Sequence, residues 1–262
     1  MIPDFETILL DVSIPFAQIT LNRPQTKNAM SYRMVEDLIA AFAWLREQTE
    51  IRAIVILGAN GTFCAGGDVT ELKGTSAQSD TQQLQLTQRL DVMLRAANTA
   101  PQITIARIEG AALGGGFGLV CVSDIAVASN DARLGLPEVR LGLVPAVISP
   151  YVLRRVGLTR ARQLMLTGER FDGVTAVNYG VVHEAHPANM LDVRIEELLN
   201  EIRHCAPDAL RACKALIFEV LDKPIDDTLR NRAELLNRLR VGDEAQEGMM
   251  AFIEKRPARW AR

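Results

Sequence analysis

The hydrophobic pattern in the first half of the chain switches between the two-residue period of strands and the 3.6-residue period of helices. Two alternating runs in residues 7–21 flank Ser13-Ile14-Pro15 and predict a hairpin. Ser31 is placed to cap a helix. The apolar residues that follow share one helical face: Val35, Leu38, Ile39, Phe42 and Leu45. The short apolar run 52–57 then predicts a strand that is buried on both faces.

The same alternation continues through the middle of the chain. Residues 73–81 are rich in Gly, Ser, Thr, Gln and Asp and predict a loop. The next helix is indicated by an apolar stripe: Leu86, Leu90, Met93 and Leu94. Strands are predicted at 102–108 and 124–128. Strands that alternate with helices indicate an α/β fold with parallel strands.

Strand signals become rare after about residue 158. Five helices are predicted from there on, separated by glycine or proline: 159–166, 190–204, 208–221, 226–240 and 243–255. We therefore expect an α/β core in residues 1–200 and a helical C-terminal region in residues 201–262. The late helices are amphipathic, which is consistent with a region that forms an oligomer.

Composition and charge exclude several classes of protein. The chain has 262 residues, 48% apolar and 23% charged, which is ordinary for a globular protein. The net charge of −3 gives no electrostatic footprint for nucleic acid. No apolar run approaches the ~20 residues of a membrane span, the start at residues 1–6 lacks the features of a signal peptide, and four cysteines lack metal-ligand spacing. We expect a cytoplasmic protein without a metal.

Two glycine-dense segments are the strongest candidates for chemistry: residues 64–68 (CAGGD) and 114–118 (GGGFG). Neither fits a phosphate-binding motif, because Gly67 stands where a P-loop needs Lys and Leu119 where a dinucleotide fingerprint needs glycine. Tight turning alone would also explain the glycines. Exposed backbone N–H groups in two such turns can instead stabilise a developing negative oxygen, as an oxyanion hole does.

The ordered set of motifs resembles the enoyl-CoA hydratase/isomerase (crotonase) superfamily over nearly the whole chain. The segments that carry the resemblance are NRPxxxNA at 22–29, CAGGD at 64–68, ALGGG at 112–116, LPEVRLGLVP at 136–145, LTGER at 166–170, GVV at 180–182 and EGMMAF at 247–252. The resemblance implies a superhelix of ββα units with a helical C-terminal region, assembled as a homotrimer or homohexamer. It also implies an acyl-CoA thioester as substrate, with coenzyme A as part of that substrate and no separate cofactor.

Carried over by position, the resemblance assigns four residues to the acyl-CoA site. The backbone N–H groups of Gly67 and Gly115 would form the oxyanion hole for the thioester oxygen. Ala65 would lie along the coenzyme, and Asp68 would close the turn or cap the following helix. We therefore expect Ala65, Gly67, Asp68 and Gly115 around the bound thioester.

The resemblance also assigns the acid–base chemistry to Glu138, at the position of one of two catalytic glutamates in typical hydratases. Gly118 stands at the position of the other glutamate. One carboxylate is compatible with hydration and with migration of a double bond, so both activities remain open, as does, more distantly, a catalytically silent or RNA-binding relative.

A finer resemblance concerns Gly118 and residues 138–151, which look like those of hydratases of branched glutaconyl-CoA esters. Such enzymes serve leucine breakdown (3-methylglutaconyl-CoA) or acyclic-terpene breakdown (isohexenylglutaconyl-CoA). Their substrates carry a distal carboxylate, which favours a cationic partner. Arg140, Arg154 and Arg155 are the nearby candidates, although most arginines are solvated surface residues.

Overall fold

The computed structural model describes residues 2–74 and 79–261. A six-stranded sheet has the order β1-β2-β3-β4-β6-β9, and a three-stranded sheet has the order β5-β7-β8. The strands are β1 Ile8–Ser13, β2 Phe16–Leu21, β3 Ala53–Gly58, β4 Ile103–Ile108, β5 Ala111–Leu113, β6 Ile125–Ser129, β7 Arg133–Gly135, β8 Arg170–Phe171 and β9 Glu184–His186. Strand and helix alternate along most of the chain, so the α/β prediction is confirmed.

The helices surround the two sheets and dominate the C-terminal region. They are α1 Tyr32–Arg46, α2 Val69–Gly74, α3 Asp80–Asn98, α4 Gly115–Val122, α5 Ser149–Thr167, α6 Gly173–Asn178, α7 Leu191–Arg203, α8 Pro207–Val220, α9 Leu229–Arg240 and α10 Asp243–Ile253. The helix predicted at 159–166 is the second half of α5, which begins ten residues earlier. In the predicted loop 73–81, residues 75–78 lie outside the described residues, and Ser79 caps α3.

The large sheet forms as the hydrophobic pattern predicts. β1 and β2 pair antiparallel as the predicted hairpin, with Ile8 opposite Leu21. From β2 onward each neighbour is parallel, so β2, β3, β4 and β6 end at the same edge. Ile54 and Ile56 face one core cluster, and Ala53 and Val55 face another. The prediction that this strand is buried on both faces is confirmed.

The small sheet carries the second glycine segment and was not predicted. Its strands have two or three residues each, too few for an alternating pattern to be recognised. Cys64 forms a parallel bridge with Ala112, and Met30 forms one with Gly67. These bridges bring the two glycine segments and the start of α1 side by side.

The C-terminal helices are joined to the core by a partly buried ion pair. Lys214 of α8 is 7% exposed. Its Nζ lies 2.6 Å from Asp124 Oδ2 and 2.8 Å from the Gln102 carbonyl oxygen. Asp124 also accepts hydrogen bonds from Thr104. The predicted division at residue 200 falls inside α7, and it stays a prediction.

No helix in the described part of the chain combines the length and the apolar composition that crossing a bilayer requires.

Candidate active site

The two glycine segments and Glu138 line one cavity of about 350 Å³. Its walls come from the start of α1, Gly67, α3, Gly115, Glu138 and the loop 143–148. Apart from Glu138 and the hydroxyl groups of Ser31, Tyr32 and Thr87, the side chains that line it are apolar. An apolar cavity with a few polar groups suits a small organic ligand such as an acyl chain.

The amide of Gly67 is free to donate into this site. Met30 N donates to Gly66 O at 2.7 Å, and Asp68 N donates to Met30 O at 3.0 Å. In this bridge Met30 forms hydrogen bonds with Gly66 and Asp68, and the N–H of Gly67 itself takes no part. Among the described residues that N–H donates to no protein oxygen.

The amide of Gly115 is free for a different reason. Gly115 is the first residue of α4, so its N–H has no carbonyl partner within the helix. Gly114 before it has φ +49°, a conformation that glycine adopts readily and that turns the chain from β5 into the helix. The positive end of the α4 dipole adds to the attraction for a negative oxygen at this point.

Glu138 lies on a 3-10 turn, Pro137–Leu141, that follows β7. A Cβ on Gly114 would lie 3.2 Å from Glu138 Oε1, so the carboxyl group is packed against the glycine turn. Oε2 is buried and has no hydrogen-bond partner among the described residues. Burial raises the pKa of Glu138 above its ordinary 4.5, and the Glu138 amide opposes that rise.

A hydrogen-bonded frame positions the Gly67 segment. Arg23 Nη2 lies 3.0 Å from Asp68 Oδ2, and Asp68 Oδ1 accepts from the Thr70 amide at 3.1 Å at the start of α2. Burial opposes the ionisation of Asp68, yet the hydrogen bonds from Arg23, Glu71 and Thr70 hold its pKa below 3.8. The expectation that Asp68 closes the turn and caps the next helix agrees with these bonds.

Not every expected residue reaches the cavity. Within the described chain, Ala65 and Asp68 are absent from its lining, while Gly67, Gly115 and Glu138 are present. Ala65 N donates to Lys27 O at 3.0 Å, which holds this segment against the 3-10 turn 24–26 that follows β2. Contact of Ala65 or Asp68 with a coenzyme stays a prediction.

The three candidate arginines also lie away from the cavity. Arg155 donates to the carbonyl oxygens of Val181 and Ser123, at 2.9 and 3.2 Å. Arg154 contacts Asp222, and Arg140 Nε lies 3.4 Å from Thr167 O. Among the residues that line the described cavity there is no arginine or lysine.

Cys64, although close to the oxyanion segment, is unsuited to act as a nucleophile. The thiol is buried, and burial raises its pKa to about 11. Its Sγ lies 3.8 Å from the Gly66 carbonyl oxygen. Because thiolate is the reactive form, this cysteine is unreactive near neutral pH.

Ile148 also lines the cavity, although the sequence gives it no role of its own within the resemblance at 138–151. Ile148 is the last residue of the loop 143–148, which leads into α5. This loop is a mostly apolar run interrupted by Pro145. Such a run predicts burial and says nothing about a cavity wall, so no local signal distinguished Ile148 from core residues.

Comparisons with known proteins identify the family of this chain. The family model described as enoyl-CoA hydratase/isomerase matches residues 13–262. The enoyl-CoA hydratase ACTT6 of Alternaria alternata is 33% identical over 236 residues, covering 90% of this chain and 77% of that protein.

Solved structures match over the same extent. Pseudomonas aeruginosa AtuE superposes with a TM-score of 0.96 at 45% identity, covering 98% of this chain and 100% of that one. An enoyl-CoA hydratase/isomerase of Marinobacter aquaeolei gives a TM-score of 0.94 at 40% identity, covering 98% and 99%. The predicted crotonase fold is confirmed, and the chain belongs to the enoyl-CoA hydratase/isomerase family.

Proposed function

We propose that this protein adds water to a 2-enoyl-CoA thioester, using Glu138 for both proton transfers and the Gly67 and Gly115 amides as the oxyanion hole. The observation that carries the proposal is the placement of Glu138. It is the one carboxylate that lines the described cavity, its Oε2 has no protein partner there, and the two amides line the same space. Hydratase names among relatives support the reaction class.

The reaction balances with one carboxylate. Ionised Glu138 accepts a proton from water as the water oxygen bonds to C3 of the enoyl group. The electrons of the C2–C3 double bond move to the thioester oxygen, and the protonated Glu138 then returns a proton to C2. The product is a 3-hydroxyacyl-CoA, and Glu138 ends as it began.

The raised pKa of Glu138 suits these two roles. A carboxyl group with an ordinary pKa is almost fully ionised near neutral pH. It would lose the proton taken from water to the solvent before returning it to C2. Burial moves the pKa upward while leaving the ionised form accessible above it. The thioester oxygen receives the negative charge between two preset donors, each worth on the order of 3–4 kcal/mol in sites of this type.

For the acyl group we propose a branched, carboxylated chain of the 3-methylglutaconyl or isohexenylglutaconyl type. The support is the likeness of Gly118 and residues 138–151 to hydratases of such esters. The apolar lining suits the hydrocarbon branch. For the distal carboxylate, the available donors in the described lining are the hydroxyl groups of Ser31, Tyr32 and Thr87.

A double-bond isomerase is the second candidate. A single carboxylate that removes a proton at C4 and returns it at C2 needs the same oxyanion hole and no water. The observation that favours this reading is the lack of a second carboxylate in the described cavity lining. The apolar walls around Glu138 would also exclude water from the proton transfer.

The experiment is turnover of four thioesters by the purified protein. Crotonyl-CoA, 3-methylcrotonyl-CoA and 3-methylglutaconyl-CoA are followed through loss of the conjugated thioester, and a 3-enoyl-CoA through its gain. The proposal predicts that the two branched esters are hydrated faster than crotonyl-CoA, and the carboxylated one fastest. Conjugation of the 3-enoyl-CoA without hydration of any ester would instead establish the isomerase.

A further inference from the structure

Ile148 fills the space that a side chain at position 118 would need. A Cβ built on Gly118 would lie 2.4 Å from Ile148 Cγ2 and 3.2 Å from Ile148 Cβ. Gly118 is buried inside α4, and Ile148 is 3% exposed. Since Ile148 also lines the cavity, it presents an apolar surface where α4 itself contributes only backbone.

This surface lies one helical turn from the oxyanion donor. Residues three apart on a helix share a face, with about 5–6 Å between their side-chain positions, and Gly115 and Gly118 have this spacing. The thioester oxygen belongs to C1, and C3 is two bonds beyond C1. With the oxygen held at the Gly115 amide, C3 and any group attached to it come within reach of Ile148.

Glu138 lies beside the same helix, one turn earlier. Its Oε1 is packed against Gly114, four residues before Gly118, and it lines the same cavity as Ile148. The carboxyl group and the Ile148 side chain therefore lie along one cavity at two successive levels of α4. Glu138 is placed to supply the proton, and Ile148 is placed to supply an apolar contact.

We propose that Ile148 is a specificity-determining residue that contacts the substituent on C3 and selects 3-alkyl-2-enoyl-CoA thioesters over straight-chain ones. The inference rests on the proposed function, which sets the position of C3. It adds the residue that contacts the substituent on C3. An apolar pocket discriminates about 10–200-fold for one methylene group.

The first test uses thioesters that cannot react, so that it is independent of the chemistry. Binding of 3-methylbutanoyl-CoA and butanoyl-CoA is measured by calorimetry for the wild type and Ile148→Ala. We expect the wild type to bind the branched thioester about tenfold or more tightly and Ile148→Ala to lose most of that preference. An unchanged preference in Ile148→Ala, or no preference in the wild type, overturns the proposal.

Matched variants separate this role from general damage. Ile148→Val keeps the Cγ2 methyl group against Gly118 and should keep the preference within about threefold. Leu86→Ala removes another apolar side chain of the cavity and should weaken both thioesters equally. Gly118→Ala must displace Ile148 and should reduce the preference as Ile148→Ala does, so it replaces that variant if Ile148→Ala does not fold.

Kinetics on the same proteins then distinguish the two proposals. The ratio of kcat/KM for 3-methylcrotonyl-CoA to that for crotonyl-CoA should fall about tenfold or more in Ile148→Ala. If the wild type hydrates neither ester but shows the binding preference, the proposed function fails and the assignment of Ile148 stands. If it hydrates both and the ratio does not respond to Ile148→Ala, the assignment fails alone.

Discussion

At the scale of single residues, the ionisation of Glu138 couples the chemistry to the stability of the fold. In the unfolded chain its carboxyl group has the ordinary pKa of 4.5, and burial in the folded protein raises it. The folded state therefore holds the proton more tightly than the unfolded state does. Stability from this group is present below pH 4.5 and is lost as pH rises through the folded pKa.

Glu138→Gln should therefore be at least as stable as the wild type at neutral pH, because it removes the ionisation of a buried carboxyl group. The advantage should shrink below pH 4.5, where both proteins are neutral at this position. Urea denaturation at several pH values measures the difference in the free energy of unfolding. A variant that becomes relatively less stable as pH rises would contradict the burial argument.

The same pKa predicts the acid side of the pH–rate profile. Glu138 must be ionised to accept a proton from water, so kcat/KM should fall as pH drops through its raised pKa. The half-maximal point should lie above 4.5, the ordinary value. A profile that stays flat down to that pH would show that a different group acts as the base. Leu86→Ala provides a control that leaves this titration in place.

Individual site residues were predictable to different degrees. Gly67, Gly115 and Glu138 stand in motifs, and the structure brings all three to one cavity. Ile148 stands in an apolar run where every residue looks like core, and its meaning depends on the space above Gly118. The arginines illustrate the same limit, since a charge near a motif does not reveal whether it faces the cavity or a carbonyl group.

At the scale of elements, the segment between β2 and α1 holds the oxyanion loop through one buried asparagine. Asn28 is 0% exposed, and its Nδ2 donates to Ala59 O at 3.0 Å and Thr62 O at 2.5 Å. Its Oδ1 accepts from the Arg23 amide at 2.9 Å. One side chain thus joins three backbone groups in two stretches of chain, one of which, 59–62, precedes the Gly67 turn.

Asn28→Ala should lower the free energy of unfolding by about 2–4 kcal/mol, because buried backbone groups lose their partners. Lys27→Ala is the matched control. Lys27 has the same φ of 54° but is exposed and makes no comparable side-chain bonds within the described structure. Urea denaturation of both variants separates lost hydrogen bonds from backbone strain. Equal losses in the two variants would contradict the role assigned to Asn28.

Elements in which the hydrophobic pattern extends over many residues were predicted well, and short elements were not. The hairpin, β3 and α1 are confirmed because six to fifteen residues carry the pattern. β8 has only two residues, and its pairing with β7 depends on tertiary contacts that no local pattern encodes. The 3-10 turn that carries Glu138 was likewise recognised through its motif alone.

At the scale of the whole molecule, the C-terminal region exposes several large apolar side chains. The exposed fractions are 85% for Phe252, 73% for Ile253, 72% for Val241 and 77% for Ile225. Single exposed apolar side chains are normal on a monomer, but several large ones within one region are typical of an interface. This surface supports the expectation of a homotrimer or homohexamer, which stays a prediction.

The double substitution Phe252→Asp and Ile253→Asp should therefore shift the assembly toward monomers in analytical ultracentrifugation. Placing charges in an apolar interface removes its driving force and adds a desolvation cost. Leu9→Asp, which changes an exposed leucine on β1, serves as the control and should sediment as the wild type does. A wild-type protein that sediments as a monomer at micromolar concentration would contradict the prediction.

The central claim is that one carboxylate performs both proton transfers, and proton exchange in D2O tests it most directly. NMR follows two rates on the same sample, namely hydration of 3-methylglutaconyl-CoA and deuterium exchange at C2 of its 3-hydroxyacyl-CoA product. Both rates should fall together in Glu138→Gln, by about 10²–10⁴-fold. If C2 exchange persists while hydration is lost, a second base serves C2 and the claim is wrong.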